Sequence, residues 1–263
     1  MKFKNVLKYT KMLWASLKAD IHFQIYKKDL LRDNRRNDDI YLVEFPKSGG
    51  TYLSFILNNI YILLKKNEKE SITFLQNHII DIFIGDSEGR KIVFSHTYYN
   101  PYFKAVIYLL RNPFDVMVSY YNYERDYGGP MYKSDFRKFV KSVIHEWKNH
   151  VNGWLLEPVQ LGMHFLKYED LLKNPVGEIK DIYRNFGLNV DINIIEKALE
   201  LSSIKNMKES EEFFKKHNPS YKISFVGKEG KIPKEKLLTE EIKEYIIKET
   251  KDILERFYPE LLI

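Results

Sequence analysis

The stretch Phe45-Pro46-Lys47-Ser48-Gly49-Gly50-Thr51-Tyr52 has the residue types to hold an anion. Adjacent glycines let the backbone turn successive N–H groups toward one point, a helix start adds partial positive charge, and Lys47 brings a mobile cation to the rim. Phosphate binding is the chemistry this suits. The stretch departs from the common nucleotide loop G-x-x-x-x-G-K-[ST], since its lysine precedes the glycines and the loop is several residues shorter, which weakens a nucleoside triphosphatase reading. Alone, the octapeptide also fits a plain glycine-rich connection.

The elements around it must supply a strand before and a helix after. Ile40 to Val43 is an apolar strand-like run, and Leu53, Ile56, Leu57, Ile60, Leu63 and Leu64 recur at helical spacing from Thr51 to about Lys66. Residues 91–95 and 105–110 read as buried strands. The second stops at Arg111-Asn112-Pro113-Phe114-Asp115, where Asn112 can cap, Pro113 suits the first helical position and Asp115 complements the dipole. Arg111 therefore stands at a strand's C-terminal end, with Ser119 further along the next helix. Helices are expected over 134–156, 175–186 and 239–257, a strand over 163–168, and a long charged loop over 209–236. Strands separated by helices imply an α/β fold with a doubly wound, mainly parallel sheet, in which ligands bind at the carboxyl ends of the strands.

Composition narrows the classes. The 263 residues suit one large domain, with 44% hydrophobic and 30% charged residues, and 19 Tyr with 17 Phe argue against disorder. Cysteine is absent, which excludes disulfides, thiolate metal sites and cysteine nucleophiles, and nothing demands an oxidising compartment. The net charge of +6 is spread along the chain and suits an anionic cofactor or substrate. No zinc-ligand, basic-zipper or RNA-binding signature supports nucleic-acid binding. Residues 1–38 read as a basic amphipathic arm and loop, and 39–263 as the main domain. The arm's lysines interrupt it too often for a signal peptide or membrane span. Its apolar stripe can pack on its own domain, the commoner fate, or lie on a membrane surface.

Taken in order, these stretches resemble the PAPS-dependent sulfotransferase family, in which PAPS is 3′-phosphoadenosine 5′-phosphosulfate. The opening loop is similar to the family's 5′-phosphosulfate loop, Y-P-K-S-G-T-T-W. Residues 108–121 match Y-x-x-R-N-P-x-D-x-x-x-S-Y-Y, Phe94-Ser95-His96 corresponds to K-T-H, Leu166 to Leu171 resembles the Y-E-D-L segment, and Leu201 to Lys208 resembles T-S-F-x-x-M-K. The resemblance covers Ile40 to about Gly230 and implies a P-loop NTPase-like sulfotransferase fold. It implies that Lys47, Ser48, Gly49, Gly50 and Thr51 hold the sulfuryl-donor end of the cofactor, that Arg111 and Ser119 hold its 3′-phosphate, that Tyr52 can stack on the adenine, that Tyr168 and Ser202 reach it, and that Gly227 in the terminal motif also binds the cofactor. Lys47, His96 and Ser119 are the catalytic candidates, with His96 as the general base; imidazole ordinarily titrates near pH ~6.5.

Departures are informative. Tyr52 stands where many relatives have tryptophan, Ile204 replaces an aromatic, and Phe94 replaces a lysine, which leaves Lys47 more of the neutralising task. The terminal R-K-G-x-x-G is degraded to Phe225-Val226-Gly227-Lys228-Glu229-Gly230, so either Lys222 or Lys228 substitutes, or Arg111 and Ser119 carry the 3′-phosphate.

The implied reaction is transfer of a sulfuryl group from PAPS to a hydroxyl or amine acceptor, leaving PAP, with no metal required because the transferred group carries a single negative charge. The acceptor is a small molecule, carbohydrate or lipid, with Tyr98, Tyr99, Tyr102, Tyr127 and the Phe213-Phe214 segment as candidate contacts. The expected location is cytoplasmic, peripheral at a membrane if the arm is interfacial, and the arm could equally serve a homodimer. Two alternatives remain at this stage: a P-loop-like nucleotide kinase or hydrolase, and a non-catalytic protein that binds anionic glycans or membrane.

Overall fold

The computed structural model describes residues 39–65, 82–84, 90–100, 103–127, 135–156, 162–217, 219, 226 and 231–262, with the side chains of 82–84, 127 and 214 excepted. The N-terminal arm, Gly227, Lys222, Lys228 and Tyr102 lie outside the described residues, as do the side chains of Tyr127 and Phe214.

Five strands form one sheet: β1 (Ile40–Glu44), β2 (Ile82–Ile84), β3 (Arg90–Ser95), β4 (Ala105–Leu110) and β5 (Met163–Lys167), in the order β2-β3-β1-β4-β5. All neighbours are parallel except β2, an antiparallel edge strand on β3. The sheet is the expected α/β arrangement, with β1 at its centre. The chain leaves β1, builds β3 on one side, then crosses to build β4 on the other. The switch point of such a sheet lies at the carboxyl end of β1.

Side chains alternate between two apolar layers, as the period of a strand requires. Ile40, Leu42, Ile107 and Leu109 face α1 (Gly50–Leu64), α5 (Pro175–Asn185) and α6 (Ile192–Leu201), while Val43, Val106, Tyr108 and Leu110 face α2 (Pro113–Tyr127), α3 (Phe136–Leu155) and α9 (Glu240–Phe257). Helix α1 presents Leu53, Ile56, Leu57 and Ile60 to its layer, and α3 presents Phe139, Val143, Trp147 and Val151 to the other. The cap expected of Asn112 is present, its Oδ1 accepting from Asp115 N at 2.9 Å. Asp135 caps α3 in the same way, accepting from Lys138 N at 2.9 Å.

The long loop expected over 209–236 is corrected in its first third. Helix α7 (Ile204–His217) continues through it, after the short α4 (Tyr168–Lys173) and before α8 (Lys234–Leu237). Most of its charges form a solvated helix face, where Lys205 pairs with Glu209 at one-turn spacing, while Met207 and Glu211 turn inward and Lys215 reaches over to pair with Glu211. Lys215, Lys216 and His217 complement the helix C-terminus. No described helix is long and apolar enough to cross a membrane.

Candidate active site

The loop after β1 is built from two unusual backbone positions. Gly49 has φ 111° and Lys47 has φ 73°, the one described residue other than glycine in the left-handed region. For a residue with a Cβ that conformation costs of order 1 kcal/mol, and such strain concentrates at functional sites. The turn closes with Ser48 N donating to Phe45 O at 3.1 Å, and α1 starts as Tyr52 N and Leu53 N donate to Gly49 O. Each glycine is required for its own reason. A side chain on Gly49 would run into the ring of Tyr168, besides the strain of its φ, and one on Gly50 would meet Phe94 and the Glu44 carboxyl. The hydroxyl of Ser48 is buried and has no hydrogen-bond partner among the described residues.

Positive charge converges on this loop. The Lys47 ammonium lies 4.3 Å from the centroid of the Tyr123 ring, and burial lowers it to about 8, the Glu44 carboxyl working in the opposite direction. Arg111 donates from Nη1 to Lys47 O at 3.2 Å, lies over the Tyr168 ring at 4.7 Å, and approaches Asp115 at 3.9 Å. Its Nε is buried and has no hydrogen-bond partner among the described residues. Tyr52 meets Tyr168 edge-on at 6.5 Å, and Thr51 stands half-buried in the first turn of α1.

His96 follows β3 and is exposed. Its Nδ1 lies 3.0 Å from Glu44 O, and since a carbonyl can only accept, Nδ1 carries the proton of the neutral ring and Nε2 the basic lone pair. Phe94 packs edge-on against the imidazole at 4.8 Å. Behind it lies a second histidine, His150, fully buried and bonded to the Tyr108 hydroxyl at 2.9 Å. Burial first, and then the nearby His96, push His150 down to about 3, so it stays neutral at physiological pH. Trp154 ties down the segment after His96 by donating to Thr97 O at 2.9 Å, with Tyr98 partly exposed above His150 and Tyr99 packed on Trp154.

Asp115, Ser119 and Asn122 share one face of α2 by their spacing. The segment from Lys231 to Lys234 docks along that face. Asn122 clamps Ile232, accepting from its N–H at 2.8 Å and donating to its carbonyl at 3.2 Å, and Lys234 Nζ reaches Asp115 at 2.5 Å. Burial works to raise the Asp115 carboxyl, but the hydrogen bonds from Lys234 and Asn112 outweigh it and leave it below the ordinary range. Lys231 adds its charge near Lys47. Basic residues thus do arrive from the C-terminal segment, from positions that the degraded motif did not indicate.

The hydroxyl of Ser202, expected to reach the adenine, is engaged elsewhere. Ser202 is fully buried between α6 and α1, donating to Ala198 O at 2.7 Å and accepting from Asn59 Nδ2 at 2.8 Å. Its hydroxyl serves helix packing, because Ser202 ends α6 on the side that faces α1. Glu169, next to Tyr168, was not singled out in the sequence. Its Oε1 accepts from Asn112 N at 3.1 Å and Asn112 Nδ2 at 2.7 Å, and its Oε2 accepts from the Tyr258 hydroxyl at 2.9 Å. This carboxylate fixes the residue after Arg111 to the end of α9. Glu169→Ala should lower unfolding free energy in urea by roughly 2–4 kcal/mol, and Tyr258→Phe by about 1 kcal/mol. A loss below ~0.5 kcal/mol for Glu169→Ala would remove it from this role.

A family model described as the sulfotransferase domain matches residues 37–262. Curated relatives include the rabbit (Oryctolagus cuniculus) amine sulfotransferase, 25% identical over 195 residues that cover 66% of this chain and 64% of that protein. Mouse (Mus musculus) sulfotransferase 2A2 is 27% identical over 214 residues, 70% of this chain and 73% of its own. The chain's match thus spans just under two thirds of the rabbit protein. Among solved structures, mouse sulfotransferase SULT7A1 complexed with PAP aligns with a TM-score of 0.59 at 19% identity over 86% of each chain. Retinol dehydratase, in complex with androsterone and inactive cofactor PAP, aligns at 0.60 and 19% identity over 84% of this chain and 82% of that one. These likenesses concern the fold.

Proposed function

The chain belongs to the sulfotransferase domain family, and on that premise we propose that it transfers a sulfuryl group from PAPS to the hydroxyl or amine of a small-molecule acceptor. The observation that carries the reading is a pair of buried polar atoms without hydrogen-bond partners among the described residues, Ser48 Oγ and Arg111 Nε, in two signature stretches that the sheet brings to one edge. Buried polar groups are rarely left unsatisfied, and an anionic ligand supplies what these lack.

When bound, PAPS supplies the sulfuryl group and a phosphate that can leave. The loop from Lys47 to Thr51 holds that end, while Tyr168, with Tyr52 against its edge, gives an aromatic surface for the base. Arg111 and Ser119, with Lys231 and Lys234 beside them, hold the 3′-phosphate. His96 Nε2 takes the acceptor's proton as the acceptor oxygen or nitrogen bonds to sulfur and the bond from sulfur to the phosphate oxygen breaks. Lys47 stabilises the negative charge that develops on that oxygen. Tyr98 and Tyr99, on the His96 side, and Phe213, exposed on α7, are described aromatic groups available to an acceptor.

Calorimetry with PAP tests the reading. PAP should bind more tightly than ATP with magnesium, and Arg111→Lys should weaken PAP by about 2 kcal/mol, roughly thirtyfold, since an ammonium cannot reproduce the guanidinium fork. Tighter binding of magnesium ATP would overturn the assignment in favour of a nucleotide kinase or hydrolase.

A further inference from the structure

Glu44 is an acid in a site built for an anion. It ends β1 with its side chain buried, 3% exposed, and its Oε2 accepts from Gly50 N, the first residue of α1, at 2.5 Å. Glu44 thus takes for itself an N–H that stands beside the loop an incoming phosphate would meet, and the carboxyl lies against the Cα of Gly50 so closely that a Cβ there could not fit. Lys47 from the loop and Arg111 from the end of β4 act on it electrostatically, Glu44 in turn raises the hydroxyls of Tyr108 on β4 and Tyr168 on α4, and His96 from the end of β3 bonds its backbone carbonyl. A carboxylate ionised here would oppose the anion that Lys47 and Arg111 attract. A neutral carboxylic acid keeps the hydrogen bond to Gly50 and removes the repulsion.

We propose that Glu44 is a positioning residue of the donor site that works as a neutral carboxylic acid, holding the first N–H of α1, so that binding a 5′-phosphorylated nucleotide is coupled to protonation of Glu44. The inference rests on the cofactor reading above and adds to it a proton: above neutral pH, carboxylate plus solvent proton becomes carboxylic acid as the nucleotide enters. Burial supports it by raising the group to about 8, the Gly50 N–H, Lys47 and Arg111 pulling the other way. The free protein therefore loses the Glu44 proton as the pH rises past neutrality, well above the ordinary carboxylate range. The proton must be taken up where the free protein has lost it.

Lys47 loses a proton in the same range, so the test is made with Lys47→Arg, whose guanidinium stays charged. Calorimetry of PAP binding in Tris and in Hepes, buffers of different ionisation enthalpy, counts the protons. Lys47→Arg should take up a proton on binding PAP at pH 8.5 and much less at pH 7, and bind PAP several-fold more weakly at pH 8.5. In Lys47→Arg/Glu44→Gln the uptake and the weakening should vanish. Should the double variant fail to fold, difference infrared spectroscopy of the wild-type chain at pH 8.5 decides: adding PAP should bring up the carbonyl band of a protonated carboxylic acid. PAP binding with equal proton uptake in both variants, or without that band, overturns the role of Glu44 and leaves the cofactor site standing. Failure of the wild-type chain to bind PAP at pH 7 overturns both.

Discussion

His96→Asn should lower kcat for sulfuryl transfer by roughly 10²- to 10⁴-fold, the range in which a positioned general base contributes. Asparagine is the informative replacement. Its amide nitrogen can take the place of Nδ1 and donate to Glu44 O, which His96 contacts at 3.0 Å. What asparagine lacks is a basic atom in the place of Nε2. A purely structural His96 would therefore be replaced with little loss of rate, whereas a base cannot be. Binding of PAP should stay within a few-fold of wild type, since His96 acts on the acceptor. A kcat within threefold of wild type would remove His96 from the chemistry and turn attention to the Tyr98 side of the site.

Lys47→Met should cost roughly 10²- to 10³-fold in kcat, about 3–4 kcal/mol of transition-state stabilisation, the usual loss when a preorganised charge is removed. Methionine keeps much of the unbranched chain that spans toward Tyr123 but lacks its charge. The left-handed backbone at Lys47 supports a functional reading, because glycine would take that conformation without strain. Unlike loss of Arg111, loss of Lys47 should fall more on kcat than on PAP affinity. A matched fall in PAP affinity with unchanged kcat would make Lys47 a binding residue only.

Much of this arrangement was legible from residue type and spacing. The helix over 134–156 and the strand over 105–110 carry strong periodic or continuous apolar patterns, and the Asn112-Pro113-Asp115 start of α2 carries local capping chemistry; all three appear within a residue or two. The association of Lys47, His96, Arg111 and Tyr168 follows from topology, since each lies just past the carboxyl end of a parallel strand, and such ends align in a doubly wound sheet. What escaped depends on contacts between distant segments. The part played by Glu44 rests on the burial of its carboxyl, and that of Glu169 on Asn112 and Tyr258 meeting it, far apart in the chain. Ser202 was placed by motif, yet the turn after α6 points its hydroxyl at Asn59. The charged run from Glu209 hid a helix because its few inward residues, Met207 and Glu211, include an acid. The three-residue β2 is too short to give a periodic signal.

The most direct measurement follows radiolabelled sulfate from PAPS through the full chain, against a panel of amines, steroid alcohols and phenols. The account predicts label on at least one acceptor with an equal amount of PAP formed, and loss of that label in His96→Asn and Lys47→Met. PAPS left unconsumed across the panel, by a protein that turns over ATP with magnesium, would contradict it.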